Sequence, residues 1–104
     1  MSRELIGKTN EIEPGSARSY IVGEERIAVC NVNGSFHAIN DVCTHDGGPL
    51  DQGVLEGSII TCPRHGAKFD VTTGEALQMP AVIPVKTYPV EIEDDIIYLI
   101  KDEK

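Results

Sequence analysis

The chain has 104 residues, 40% of them hydrophobic and 25% charged, a balance typical of one soluble globular domain. A net charge of −8 excludes the basic surface that nucleic-acid binding needs. The longest apolar run, residues 96–100, is far shorter than the ~20 residues of a membrane span, and no signal peptide is visible. We therefore expect a single domain over residues 1–104 in a cytoplasmic protein. Its acidity indicates either solubility or electrostatic steering toward a basic protein partner.

Short β-rich runs alternate with Gly, Pro, Asn and Asp along the chain, and no segment keeps a helical period. The Asn33-Gly34 pair lies between two such runs, which predicts a hairpin, and Asp94-Asp95 predicts a second turn. The predicted strands are residues 18–22, 26–32, 35–39, 58–61, 67–71, 82–86, 90–93 and 96–100. The pattern predicts an all-β fold, an antiparallel sandwich or barrel.

Two stretches, residues 40–57 and 62–66, break this pattern and predict loops. The first contains Cys43-Thr44-His45 and the second contains Cys62-Pro63-Arg64-His65. Loops on a rigid β scaffold are where binding residues are usually found. Each loop offers one thiolate and one imidazole, so together they present two sulfur and two nitrogen donors.

This donor set suits two kinds of metal centre. Zinc accepts two sulfurs and two nitrogens tetrahedrally, but zinc fingers group the two cysteines together and the two histidines together. A [2Fe-2S] cluster in which one iron takes both cysteines and the other takes both histidines fits loops that each mix the two types. The residues favour the cluster and leave a zinc-binding structural or interaction module as the alternative.

The two segments resemble the Rieske iron–sulfur family. The resemblance implies that Cys43 and Cys62 bind one iron and that His45 and His65 bind the other. It extends beyond the ligands to Gly66, Phe69-Asp70, Gly74 and a proline-containing loop at Met79-Pro80-Ala81. It implies a Rieske-like antiparallel β fold, one [2Fe-2S] cluster and a cluster-binding part at about residues 41–80.

Departures from one branch of the family narrow the expected function. Rieske proteins of cytochrome bc complexes link the two loops by a disulfide, at positions where this chain has Gly48 and Arg64. They also place hydroxyl side chains where this chain has Ala67 and Phe69. The chain therefore resembles a small soluble Rieske-type ferredoxin of bacterial aromatic-ring dioxygenase systems. That resemblance implies a flavoprotein reductase using NAD(P)H and a terminal oxygenase as partners; the small subunit of a nitrite reductase is the alternative.

The remaining candidate residues predict no catalytic site. Once His45 and His65 are assigned to the cluster, only His37 is left, so the 2-His-1-carboxylate site of non-haem iron oxygenases cannot be built. Cys30 shares the face of an apolar strand with Ala28 and Val32, which predicts a buried packing residue. We therefore expect an electron-transfer component that is not itself an enzyme.

Overall fold

Antiparallel strands form nearly all of the regular structure in the computed structural model, which describes residues 2–44, 47–64, 66–79 and 82–101. The strands are β1 (Ser2–Lys8), β2 (Ala17–Val22), β3 (Glu25–Val32), β4 (Ser35–Asn40), β5 (Val54–Glu56), β6 (Ile59–Thr61), β7 (Lys68–Asp70), β8 (Ala76–Gln78), β9 (Thr87–Tyr88), β10 (Val90–Glu93) and β11 (Ile96–Lys101). A 3₁₀ turn at Thr9–Glu11 is the only helical element among these residues. None of their helices has the length and apolar character needed to cross a membrane. The predicted all-β class is confirmed.

The strands form three antiparallel sheets. The base sheet has the order β1-β11-β10, the central sheet β2-β3-β4-β9 and the distal sheet β5-β6-β7-β8. The distal sheet is a meander of short strands, and the two loops that carry the cysteines lie at its start and within it.

Both faces of the central sheet are buried, and β3 shows this most clearly. Ile27 and Val29 belong to the buried cluster that includes Leu99 of the base sheet. The alternate residues Ala28 and Cys30 belong to a second cluster that includes Phe69 of the distal sheet. Because successive side chains of a strand point to opposite faces, β3 contributes to both cores at once. The predicted burial of Cys30 is confirmed.

The turn chemistry read from the sequence is confirmed at both predicted hairpins. Asn33 and Gly34 have φ values of 52° and 94°, and they join β3 to β4. Asp94 and Asp95 have φ values of 52° and 63° between β10 and β11. Positive φ at both central residues is the geometry that matches the twist of the flanking strands.

The predicted strand at residues 82–86 is wrong. Only Thr87–Tyr88, just beyond it, pairs with β4. Pro84 lies in the middle of the predicted run, where it has no N–H to donate to a ladder. Val82 and Ile83 are exposed instead, and Val85 alone is buried.

Besides β9, three further strands are not predicted by the sequence pattern. Val54–Glu56 lies within the stretch 40–57 that the sequence indicated as irregular, and Ser2–Lys8 and Ala76–Gln78 were not recognised as strands. Ser2–Lys8 pairs with β11 at the other end of the chain, so a tertiary contact decides its conformation. Val54–Glu56 and Ala76–Gln78 pair with the adjacent strands β6 and β7, but each has only three residues, too few to show a periodic pattern.

Candidate metal centre

Two loops bring Cys43 and Cys62 into the same buried cluster of side chains. The first ligand loop, residues 41–53, leads from β4 of the central sheet to β5 of the distal sheet. The second ligand loop, residues 62–67, joins β6 to β7 as a hairpin. Both cysteines are 1% exposed, and Leu50, Ala67 and Phe69 are buried in the same cluster.

The two loops close around their cysteines with the same pattern of backbone hydrogen bonds. The Cys43 N–H donates to the Gly48 carbonyl at 2.7 Å, and the Cys43 carbonyl accepts from the Gly47 N–H at 2.8 Å. In the second loop the Cys62 N–H donates to the Ala67 carbonyl at 2.7 Å, and its carbonyl accepts from Gly66 at 3.1 Å. Each cysteine therefore begins a turn of the same size, which places the two sulfurs in equivalent settings.

Glycine is required at the same position of both turns. Gly47 and Gly66, each four residues after its cysteine, both have a φ of 77°. A Cβ atom would meet no atom within 4 Å at either position, so space is not the reason for glycine. The reason is the left-handed backbone conformation, which residues other than glycine adopt only at a cost in energy.

The cysteines fit the sulfur half of the predicted ligand set. No disulfide joins any two of the three cysteines, all of which lie in the described residues. Two thiols that start matched turns in one apolar environment suit a metal centre that takes one sulfur from each loop. The predicted ligands His45 and His65 lie outside the described residues, so their assignment rests on the motif.

Cys30 has a different environment from the two loop cysteines. It lies within β3, in the interior of the central sheet, with no exposed surface. Burial, with a smaller contribution from the nearby Asp41 carboxylate, raises the pKa of its thiol to about 12. A thiol that stays protonated is a poor metal ligand, which agrees with a packing role.

Residues on β8 and shortly after it contact both ligand loops. The Thr44 hydroxyl, next to Cys43, donates to the Ile83 carbonyl at 2.7 Å. The Gln78 side-chain amide donates to the Gly66 carbonyl at 3.3 Å. Neither contact could be predicted from the sequence, because each joins residues that are far apart in the chain.

The same segment exposes a group of apolar side chains beside the loops. Leu77, Met79, Val82 and Ile83, which we call the apolar rim, are between 43% and 70% exposed. They are four of the eight large apolar side chains that are exposed among the described residues. A concentration of this kind in one short segment is typical of a contact surface.

Asp41, a residue for which the sequence predicted no role, is fully buried at the start of the first ligand loop. Its carboxylate accepts hydrogen bonds from the backbone N–H groups of Leu50 and Asp51, both at 2.8 Å. Burial raises the pKa of this carboxyl group, and the hydrogen bonds from Asp51 and Leu50 act in the opposite direction.

Comparison with known proteins finds relatives over most of the chain. A model of the Rieske [2Fe-2S] domain family matches residues 2–89, which include both ligand loops. The chain is 39% identical over 95 residues to the ferredoxin component of biphenyl 2,3-dioxygenase from Rhodococcus jostii (strain RHA1). That alignment covers 91% of this chain and 89% of the relative.

Solved structures of ferredoxins share the fold at high coverage. The Sphingomonas yanoikuyae B1 ferredoxin has a TM-score of 0.92 and 33% identity, covering 97% of this chain and 100% of that one. A complex of reduced oxygenase and oxidised ferredoxin in carbazole 1,9a-dioxygenase gives a TM-score of 0.89 and 32% identity, with coverages of 98% and 95%.

Substitution of the three cysteines separates ligands from packing residues. We expect Cys43→Ser and Cys62→Ser to lose the bound metal, because each loop then lacks its sulfur donor. His45→Ala and His65→Ala are expected to lose it as well. Cys30→Ala should keep the metal content of the unsubstituted chain. Elemental analysis of the purified proteins, with visible absorption, checks this; metal loss in Cys30→Ala equal to that in Cys43→Ser would contradict the assignment.

Proposed function

Because this chain belongs to the Rieske [2Fe-2S] domain family, we propose that it passes electrons singly from an NAD(P)H-dependent flavoprotein reductase to a terminal non-haem iron oxygenase. The observation that carries the proposal is the pair of matched loops with their buried cysteines, in a chain whose relatives are ferredoxin components of dioxygenase systems. In the carbazole dioxygenase structure such a ferredoxin is in complex with its oxygenase.

The proposed ligands divide between the two irons by residue type. Cys43 and Cys62 would hold one iron, and His45 and His65 the other. Bound there, a Rieske cluster supplies a redox centre that accepts and releases one electron. The chain's own contribution is to exclude water from the two cysteines, which share a buried cluster with Leu50, Ala67 and Phe69.

The chain's role in this scheme is that of a carrier. With His45 and His65 on the cluster, His37 is the only histidine left, and a facial-triad iron site needs two. We place the protein in the cytoplasm, where NAD(P)H is the reductant, and treat residues 1–104 as one domain with its cluster-binding part at about 41–80. A nitrite reductase subunit is less favoured, since the relatives described above are dioxygenase ferredoxins.

We further propose that the apolar rim is where electron-transfer partners dock. It adjoins both ligand loops through Thr44 and Gln78, so a protein seated on it lies close to the redox centre. Electron-transfer contacts are usually small and short-lived, and a rim of four side chains suits such a contact.

The proposed function is tested by metal analysis followed by reconstitution. The purified chain should contain two irons and absorb visible light, because the ligand set is that of a Rieske cluster. Added to a flavoprotein reductase and a Rieske oxygenase, it should couple NAD(P)H oxidation to oxygenation. Omission of the chain is the control. A colourless protein that carries zinc would instead support the structural zinc module.

Charge introduced into the apolar rim tests the docking surface. Val82→Asp and Met79→Asp should each lower the rate of electron transfer to the oxygenase about tenfold, because a contact loses apolar burial and gains an unpaired charge. Stopped-flow measurement of the reoxidation of the reduced chain gives this rate.

The matched control is Ile21→Asp on β2. Ile21 is 68% exposed and Val82 is 69% exposed, but Ile21 lies on the central sheet rather than beside the loops. Its substitution should leave the rate unchanged. Equal losses in Ile21→Asp and Val82→Asp would show that the apolar rim has no special part in docking.

The residues buried in the same cluster as the two cysteines predict a low reduction potential. Ala67 and Phe69 have no hydroxyl to donate to sulfur, and such donors raise the potential because they stabilise the added negative charge. We expect about −150 to −50 mV, the bottom of the Rieske range. Ala67→Ser or Phe69→Tyr should raise the potential by roughly 50–100 mV.

Protein-film voltammetry measures this potential. Ala38→Ser is the control, because Ala38 is equally buried but belongs to the core on the other face of the central sheet. It should leave the potential unchanged. A wild-type potential above about +100 mV would be incompatible with the ferredoxin assignment.

A further inference from the structure

The two ligand loops are closed at their bases by different means. The second ligand loop is closed by a strand ladder, in which Thr61 pairs with Lys68 and Ile60 with Phe69. The first ligand loop runs from β4 of the central sheet to β5 of the distal sheet, and these two strands do not pair. Its base therefore needs another source of closure.

The side chain of Asp41 supplies that closure. One carboxylate oxygen, Oδ1, accepts the N–H groups of both Leu50 and Asp51 at 2.8 Å, which joins the start of the loop to its far end. The residue has no exposed surface, so water does not compete for these bonds. These two hydrogen bonds to one buried oxygen close the first ligand loop, as the backbone hydrogen bonds between β6 and β7 close the second.

Asp41 is itself fixed to the central sheet. Its N–H donates to the Arg26 carbonyl of β3 at 2.8 Å, continuing the β3–β4 ladder by one step. The Arg26 guanidinium contacts its second oxygen, Oδ2, at 3.4 Å. The Ser19 side chain on β2 also hydrogen-bonds to the carboxylate. The carboxylate thus connects two strands of the central sheet to the far end of the first ligand loop.

We propose that Asp41 is a positioning residue that holds Cys43 in its metal-binding place by closing the base of the first ligand loop. The inference rests on the proposed function only in taking Cys43 as a ligand. It predicts that loss of the acceptor loosens the first ligand loop alone, since the second has its own ladder.

Iron release to a chelator tests the proposal in the holoprotein. Asp41→Ala leaves two buried N–H groups without an acceptor, so iron should be released about tenfold faster or more. Asp41→Asn keeps an oxygen that can accept both N–H groups, and its rate should stay within about threefold of wild type. Asp51→Ala is the matched control: it removes another carboxylate of the same loop, one that accepts from the Gln52 side chain, and it keeps the Asp51 N–H.

Hydrogen–deuterium exchange gives a second readout that a general loss of stability would not mimic. In Asp41→Ala, peptides covering residues 47–53 should exchange faster, while those covering 59–71 should exchange as in wild type. The electron paramagnetic resonance spectrum of the reduced protein should also change in Asp41→Ala and be restored in Asp41→Asn. If Asp41→Ala does not fold, Asp41→Ser, whose hydroxyl is too short to reach both amides, takes its place.

Three results would overturn the proposal. The first is iron release from Asp41→Ala at the wild-type rate; the second is release from Asp41→Asn as fast as from Asp41→Ala, which would assign the role to charge. The third is equal acceleration of exchange in both loops. A wild-type chain that holds zinc instead of iron would refute the proposed function, yet the exchange comparison would still decide the role of Asp41.

Discussion

Burial of the central sheet on both faces is the constraint on which the rest of the structure depends. The first ligand loop leaves this sheet at the end of β4, and the second belongs to the distal sheet, so two separate elements must be fixed against each other. Packing of Ala28, Cys30 and Ile39 against Phe69 and Ile60 holds the two sheets together. No ladder joins β4 to β5, so this packing and the hydrogen bond from Thr44 to the Ile83 carbonyl fix the two cysteines relative to each other.

Within this frame, backbone hydrogen bonds do most of the positioning. Both cysteines begin turns that close in the same way, although one turn lies between sheets and the other within a hairpin. The histidines of the motif occur two residues after Cys43 and three residues after Cys62. The matched part of the two loops is therefore the turn that each cysteine begins, whereas the position of the histidine in the motif differs by one residue.

Local chemistry in the sequence predicted the parts of the fold that are decided locally. Asn33-Gly34 and Asp94-Asp95 predict the hairpins, and β-rich runs bounded by turn residues predict the long strands β2, β3 and β11. The strand predicted at residues 82–86 is wrong because Pro84 interrupts its apolar residues, and the strand at Val54 is hidden by the glycines on either side of it. The ligand motif was visible because its residue types are rare in this chain. The role of Asp41 was not visible. Nothing near it in the sequence indicates that its carboxylate accepts hydrogen bonds from N–H groups nine and ten residues away.

The sharing of β3 between two cores has a thermodynamic consequence. Ile27 and Val29 face the base sheet while Ala28 and Cys30 face the sheet that carries the second ligand loop, so one strand cannot loosen on one side only. A ligand that binds only the folded chain stabilises it by mass action. Here that stabilisation acts through β3 on the base sheet as well, and the free energy of metal binding is distributed over the whole cooperative unit. Filling the metal centre therefore raises the temperature at which strands far from it unfold.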